Sequence, residues 1–145
     1  MIRTKRMPTK VEVRQNFSCS VEKLFNHLSV HKNLEKVLAP AKIKRIKDGE
    51  DVLDGLGSVR KISLPLMPSF DETITVREPN ERIEYKITRG SPLKNHHGIM
   101  RFSENGSGSH LHYTITFSSK VPFLAPVIGA ALQQAISRGL KKINL

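Results

Sequence analysis

The stretch PVIGAALQQAISRGLKKI, Pro126–Ile143, decides how the rest of the chain is read. Ile128, Leu132, Ala135, Ile136, Gly139, Leu140 and Ile143 recur at three- and four-residue spacing, so they share one face of a helix. Gln134, Arg138, Lys141 and Lys142 fall on the other side. Pro126 suits the first turn, where its missing N–H costs no helical hydrogen bond. Such a helix has to bury its stripe, and the chain before it has to supply the cover.

That upstream chain has a period of two. Across Lys10–Phe17, Val11, Val13 and Phe17 face one way and Glu12, Arg14 and Asn16 the other, predicting a half-buried strand. Ser18 or Ser20 then caps a helix carrying Val21, Leu24, Phe25 and Leu28. A second short helix carries Leu34, Val37 and Leu38 and stops before Pro40. Strands follow at Ile43–Lys47, Ser58–Leu64, Ser69–Arg77, Arg82–Thr88, Gly98–Glu104 and His110–Ser118. Asp48-Gly49, Asp54-Gly55, Pro79-Asn80 and Asn105-Gly106 supply turns between them. Phe70, Glu72, Ile74 and Val76 are expected on the inner face, with Ile83, Tyr85, Ile87, Met100, Phe102, Leu111, Tyr113, Ile115 and Phe117. Six successive strands with short connections predict an antiparallel meander. The fold class is therefore α+β: a curved antiparallel seven-strand sheet wrapped around a long C-terminal helix, with two short helices after strand 1.

A length of 145 residues accommodates one domain with a real core, taken as residues 10–145 behind a basic arm at 1–9. The longest apolar run, Val121–Leu132, spans 12 residues, is broken by Pro122 and Pro126, and is too short to cross a bilayer. The basic start (Arg3, Lys5, Arg6, Lys10) leads into no apolar region of the kind a secretory signal needs. The single cysteine, Cys19, excludes an intramolecular disulfide and a paired-cysteine metal knuckle. The cytoplasm is the expected compartment. A net charge of +11 favours anionic partners such as nucleic acid, anionic lipid or acidic protein.

Several local patterns bear on family. Phe17-Ser18-x-Ser20 leads into Leu24-Phe25-x-x-Leu28. Gly55-x-Gly57-Ser58-Val59-Arg60 and Glu78-Pro79-Asn80-Glu81-Arg82-Ile83-x-Tyr85 come later, followed by the C-terminal helix. From Lys10 onward the chain resembles the START-like, helix-grip superfamily, which includes lipid-transfer domains, pollen-allergen-type ligand carriers and aromatic polyketide cyclases. Relatives often carry tryptophan in the helical region and the last strand; this chain has none, and Tyr113 occupies the latter place. The resemblance implies a cavity between helix and sheet that takes a hydrophobic ligand.

With Pro65–Met67 as a hairpin loop, Ile62 opposes Phe70 and Arg60 opposes Glu72, so both charges share the concave face. Neither charge is stable there alone, which makes a pair the expected arrangement. It serves either as a structural ion pair or to orient a ligand's polar head. Arg60, Glu72, Tyr85, His96, Met100, Tyr113, Leu132 and Ile136 are the expected ligand-binding residues. No catalytic residue, metal or cofactor is expected. His27 and His31 lack an intervening glutamate, and His112 should face Arg101 while His97 faces Thr116, so the histidines do not converge. Gly55-x-Gly57 precedes no helix and is a turn rather than a phosphate loop.

Alternate loops of a meander share an end. Residues 48–57, 78–81 and 103–109 collect seven of the 13 acids and no Lys or Arg. Residues 39–42, 64–69, 88–96 and 118–126 carry Lys42, Arg89, Lys94 and Lys120 and no acid. The same loops hold Leu66, Met67, Leu93, Phe123 and Leu124, expected to form a cavity mouth or to pack on one another. Cations beside exposed apolar side chains favour an anionic membrane surface, at about 1 kcal/mol per charge. The basic arm is expected to start at the acidic end. Three functions compete: a carrier or sensor of a hydrophobic small molecule or lipid, a cyclase- or dehydratase-type enzyme acting on a polyketide-like substrate, and a protein that binds RNA or the ribosome through Lys32, Lys36, Lys42, Lys44, Arg45 and Lys47. The carrier reading requires space left unfilled beneath residues 127–143.

Overall fold

A computed structural model describes residues 7–145. The strands are β1 (Thr9–Phe17), β2 (Lys42–Lys47), β3 (Val59–Ser63), β4 (Phe70–Glu78), β5 (Arg82–Arg89), β6 (Lys94–Asn105) and β7 (Gly108–Ser118). Helices α1 (Val21–Leu28) and α2 (Leu34–Val37), joined through a 3-10 turn at His31–Asn33, follow β1, and α3 (Leu124–Lys141) closes the chain. The sheet is fully antiparallel in the order β1-β7-β6-β5-β4-β3-β2, the seven-strand arrangement the period-two runs predict.

Local chemistry accounts for the helix starts. Ser20 stays extended and its Oγ accepts a hydrogen bond from the Lys23 N–H at 3.2 Å, satisfying a first-turn donor of α1. Leu24, Phe25 and Leu28 then lie on one buried face. In α3, Ile136 and Leu140 are fully withdrawn from water, each contributing roughly 1.5–3 kcal/mol by burial. Leu132 is half-buried.

The two sheet edges are protected differently. The open edge of β1 is covered by α3: the Glu12 N–H donates to Gln133 Oε1 at 3.0 Å, and Gln133 Nε2 donates to the Glu12 carbonyl at 2.7 Å. One amide side chain thus mimics a neighbouring strand. The β2 edge carries exposed Lys42, Lys44, Arg45 and Lys47, which discourages pairing with another chain. Gly139 sets the closeness of α3 to α2, because a Cβ there would fall 2.4 Å from the Val37 carbonyl oxygen.

Two expectations need correction. Thr75 is an extra residue in β4, so Ile74 opposes Tyr85 but Val76 opposes Glu84 and Arg77 opposes Ile83. This bulge swaps faces: Val76 leaves the concave side and Arg77 enters it, its guanidinium 5.3 Å from the Phe25 ring. The second correction concerns β1. Thr9 lies opposite Phe117 and Phe17 opposite Ser109, so β1 begins at the basic end and runs toward the acidic one. Antiparallel pairing with β7 fixes that direction, so Thr9, where the strand starts, lies at the basic end. Residues 1–6 of the expected arm lie outside the described residues.

Gly139→Ala should cost about 1–3 kcal/mol, the usual penalty for forcing atoms into a packed contact. Urea unfolding will measure it; a loss below about 0.5 kcal/mol, the scale of surface substitutions, would mean that α3 and α2 are not closely docked.

Candidate functional site

The concave face carries a polar network rather than a purely apolar lining. Arg60 and Glu72 stand opposite one another on β3 and β4, at 3% and 5% exposure. Arg60 Nε and Nη2 both reach Glu72 Oε1, at 2.9 and 2.8 Å. Arg60 Nη1 donates to His31 Nδ1 at 3.3 Å. Because a guanidinium only donates, Nδ1 must be unprotonated, and His31 carries its proton on Nε2. That N–H donates to Ser58 Oγ at 2.9 Å, and the His31 backbone N–H donates to Asp54 Oδ2 at 2.9 Å. Asp54 in turn receives Arg45 Nη1 at 2.8 Å. A continuous chain of contacts therefore links buried Glu72 to the protein surface.

His96 on β6 approaches Glu72 from the other side. The Ile87 N–H donates to His96 Nδ1 at 3.0 Å, which leaves the proton on Nε2, 3.8 Å from Glu72 Oε2. That separation is too long for a direct hydrogen bond. Tyr85 lies beneath the Arg60 guanidinium, whose Cζ is 4.6 Å from the ring centroid, and its hydroxyl is hydrogen-bonded to that of Tyr113. Gly98 makes room for this ring: a Cβ there would sit 2.2 Å from Tyr85 Cζ. Met100 is buried beside them.

Burial dominates the electrostatics. It lowers His31 and His96 to about 4, and the Arg60 charge pushes both the same way. Both rings are neutral at pH 7. Desolvation lifts the Glu72 carboxyl above its ordinary range, opposed by Arg60. It also raises both tyrosines.

The expected site residues on the sheet thus come together: Arg60, Glu72, Tyr85, His96, Met100 and Tyr113 surround one point. Sequence reasoning misses His31, Asp54 and Arg77. It treats His31 only as a metal ligand, although the break after α1 could have signalled a residue turned inward. On the side of α3 that faces the sheet, Ile136 and Leu140 are buried whereas Ile128 and Leu132 are only half-buried. The recess adjoining the network holds only about 10 Å³, room for about one water. It is lined from the side of α1 by Leu28 and His31 and from the sheet by Arg60, Arg77, Tyr85 and Met100, with neither Leu132 nor Ile136 at its wall.

At the basic end, Leu66, Phe123 and Met67 are exposed at 105%, 84% and 52%. Leu93 and Leu124 are only half-buried, so three of the five residues expected at a mouth are exposed. His112 and His97 face Arg101 and Thr116 and pair with Glu12 and Glu84, each at 2.6 Å. Of the basic stretch over α2 and β2, Lys32 pairs with Glu35 at 2.8 Å, and Arg45 with Asp48 and Asp54 at 2.7 and 2.8 Å, so part of that charge is neutralised locally. Among the described residues, no helix is long and apolar enough to cross a membrane.

A family profile described as polyketide cyclase/dehydrase and lipid transport matches residues 8–144. The chain belongs to this family. No curated protein sequence matches it. Among solved structures, this member of the family is similar to the TTHA0849 protein of Thermus thermophilus, at 14% identity, TM-score 0.73, and coverage of 92% of this chain and 94% of that one. Truncated norcoclaurine synthase from Thalictrum flavum gives 13% identity, TM-score 0.67, and coverage of 99% and 100%. Ara h 8.0201 gives 18% identity, TM-score 0.64, and coverage of 94% and 100%. These likenesses establish the helix-grip fold.

The strongly depressed His31 and His96 predict an acid-side loss of stability. Unfolded histidine titrates near 6.5, whereas His31 and His96 stay neutral in the fold down to about 4. Between those values the unfolded chain binds protons that the folded chain does not, so stability falls as pH falls, by up to about 1.4 kcal/mol per pH unit for each ring. The lifted Glu72 carboxyl works in the opposite sense. Urea midpoints between pH 7 and 4 should therefore decline for the native protein and decline less steeply for His31→Gln and His96→Gln. Identical slopes in all three would contradict the assignment.

Proposed function

We propose that this protein binds a hydrophobic small molecule bearing a polar or anionic group, between α3 and the concave face of the sheet. The supporting observation is the convergence of Arg60, Glu72, His96, Tyr85 and Tyr113 on one buried point, beside apolar Met100. Hydrogen-bonding groups concentrated amid apolar walls are the usual composition of a ligand site, where they fix orientation while apolar burial supplies affinity. Pockets for drug-sized ligands span about 300–1,000 Å³, well above the roughly 10 Å³ recess beside the network, so binding at this point would part the side chains around it. The family supports the same reading, since its description includes lipid transport.

A second reading has one specific observation in its favour. Glu72 Oε2 and His96 Nε2 stand 3.8 Å apart, giving a carboxyl and a neutral imidazole that a reacting group could bridge. The dehydratase- or cyclase-type alternative uses them as its acid–base pair. It predicts that a compound found bound to the purified protein is converted by the native chain. Glu72→Gln should then lose turnover while its thermal midpoint stays within a few degrees.

The binding reading is tested with 8-anilinonaphthalene-1-sulfonate, an apolar aromatic anion, in native mass spectrometry and fluorescence titration. A complex of one probe per chain is expected. Arg60→Met alone should be strongly destabilising, because it strands Glu72, whereas Arg60→Met with Glu72→Met should keep the fold. The folded double variant should bind the probe at least about tenfold more weakly, the scale of one lost charge-assisted hydrogen bond. An absent complex, or equal affinity in the double variant, would overturn the proposal.

A further inference from the structure

The basic end of the sheet presents a surface that the buried network does not explain. Four large apolar side chains reach into solvent there: Leu66 at 105%, Phe123 at 84%, Met67 at 52% and Val121 at 52% exposure. Their loops are neighbours. A Cβ on Gly90 would lie 2.8 Å from the Ser69 carbonyl, which joins the β3–β4 and β5–β6 loops. Lys94 pairs with Ser118, which joins the latter to the β7–α3 loop.

Backbone geometry makes this exposure more than incidental. The non-glycine residues at positive φ are Leu66 (63°), Asn80 (65°), Asn95 (54°) and Phe123 (65°) among the described residues. Asparagine enters that region readily; leucine and phenylalanine do so at a steric cost. The chain therefore holds the two most projecting apolar side chains of these loops in a conformation that glycine would adopt freely. Strain of this kind persists where the presented group has a use.

Charge selects the partner. Exposed Lys42, Arg89 and Lys94 at the strand ends and Lys120 in the β7–α3 loop surround these side chains, with Asp71 opposite Arg89 across the β4–β5 ladder and no carboxylate in the loops themselves. Among the described residues none of the four forms an ion pair. A second copy docked across a two-fold axis would set like charge against like charge. A bilayer of anionic lipid instead offers headgroups to the cations and acyl chains to side chains projecting from separate loop tips.

From this geometry we infer that the loops at 64–69, 90–94 and 118–123 dock the protein onto an anionic membrane surface, with Leu66 and Phe123 entering the acyl boundary. This surface stands independently of any ligand bound inside. It also lies at the end from which α3 starts, so docking would bring the N-terminus of α3 to the lipid.

Flotation with vesicles tests it. The native chain should float with vesicles of phosphatidylglycerol and phosphatidylcholine in equal parts, and far less with phosphatidylcholine alone. Leu66→Gly with Phe123→Gly should reduce flotation by about tenfold or more, since both apolar anchors are lost. Its thermal midpoint should stay constant or rise, because glycine relieves the positive-φ strain. Lys94→Gln with Lys120→Gln should weaken flotation on the anionic vesicles only. No flotation of the native chain, or undiminished flotation of the glycine variant, would overturn the inference. So would a lowered midpoint in that variant, which would assign both side chains to packing. Vesicle-free self-association that the glycine variant abolishes would assign the surface to a second copy, docked through its acidic loops, and would equally overturn it.

Discussion

A guanidinium and a carboxylate taken out of water together constrain everything around them. Arg60 and Glu72 satisfy one another through a single oxygen, Glu72 Oε1. The rest of the guanidinium needs an acceptor, supplied by His31, and an apolar support that tolerates charge, supplied by the Tyr85 ring. Each partner imposes a further condition. His31 must stay neutral and present Nδ1, which Ser58 enforces by accepting from Nε2. Tyr85 must lie flat across β6, which Gly98 allows. Removing one member leaves a buried charge unpaired, which costs more than the intact pair contributes.

The sheet positions this cluster by register, and register was legible in the sequence. A short hairpin between β3 and β4 puts Arg60 opposite Glu72 whatever the remaining structure does. The alternation in β7 likewise fixes Tyr113 inward, and the stripe in α3 fixes Ile136. Departures occur where the period breaks. No side chain announces that Thr75 is an extra residue, yet it turns Arg77 into the interior and Val76 out. His31 was equally hidden, because its partners Asp54, Ser58 and Arg60 lie more than twenty positions away in sequence. The direction of β1 depends on its pairing with β7, a non-local contact that periodicity does not encode.

The interior volume was the least legible quantity of all. Apolar patterning says which faces meet but not how tightly they fill the space between them, which depends on rotamers and on helix placement. Here α3 is held by Gln133 to the β1 edge and by Gly139 to α2, and the polar cluster occupies the centre. In a family described by polyketide cyclisation and lipid transport, this chain thus places a buried ion pair beside a recess of only about 10 Å³. On the proposed reading, a ligand entering at this point has to part these contacts, and its affinity includes that cost.

Methionine methyl NMR during titration with the anilinonaphthalene sulfonate tests that central claim most directly. Met100 is buried at 1% exposure inside the network, Met67 stands at the basic end at 52%, and Met7 is 86% exposed. Interior binding predicts a large shift of the Met100 methyl, saturating at one equivalent, with intermolecular contacts from the probe to Met100. Shifts confined to Met67 and Met7, with Met100 unmoved at saturation, would place the probe on the surface and contradict the account.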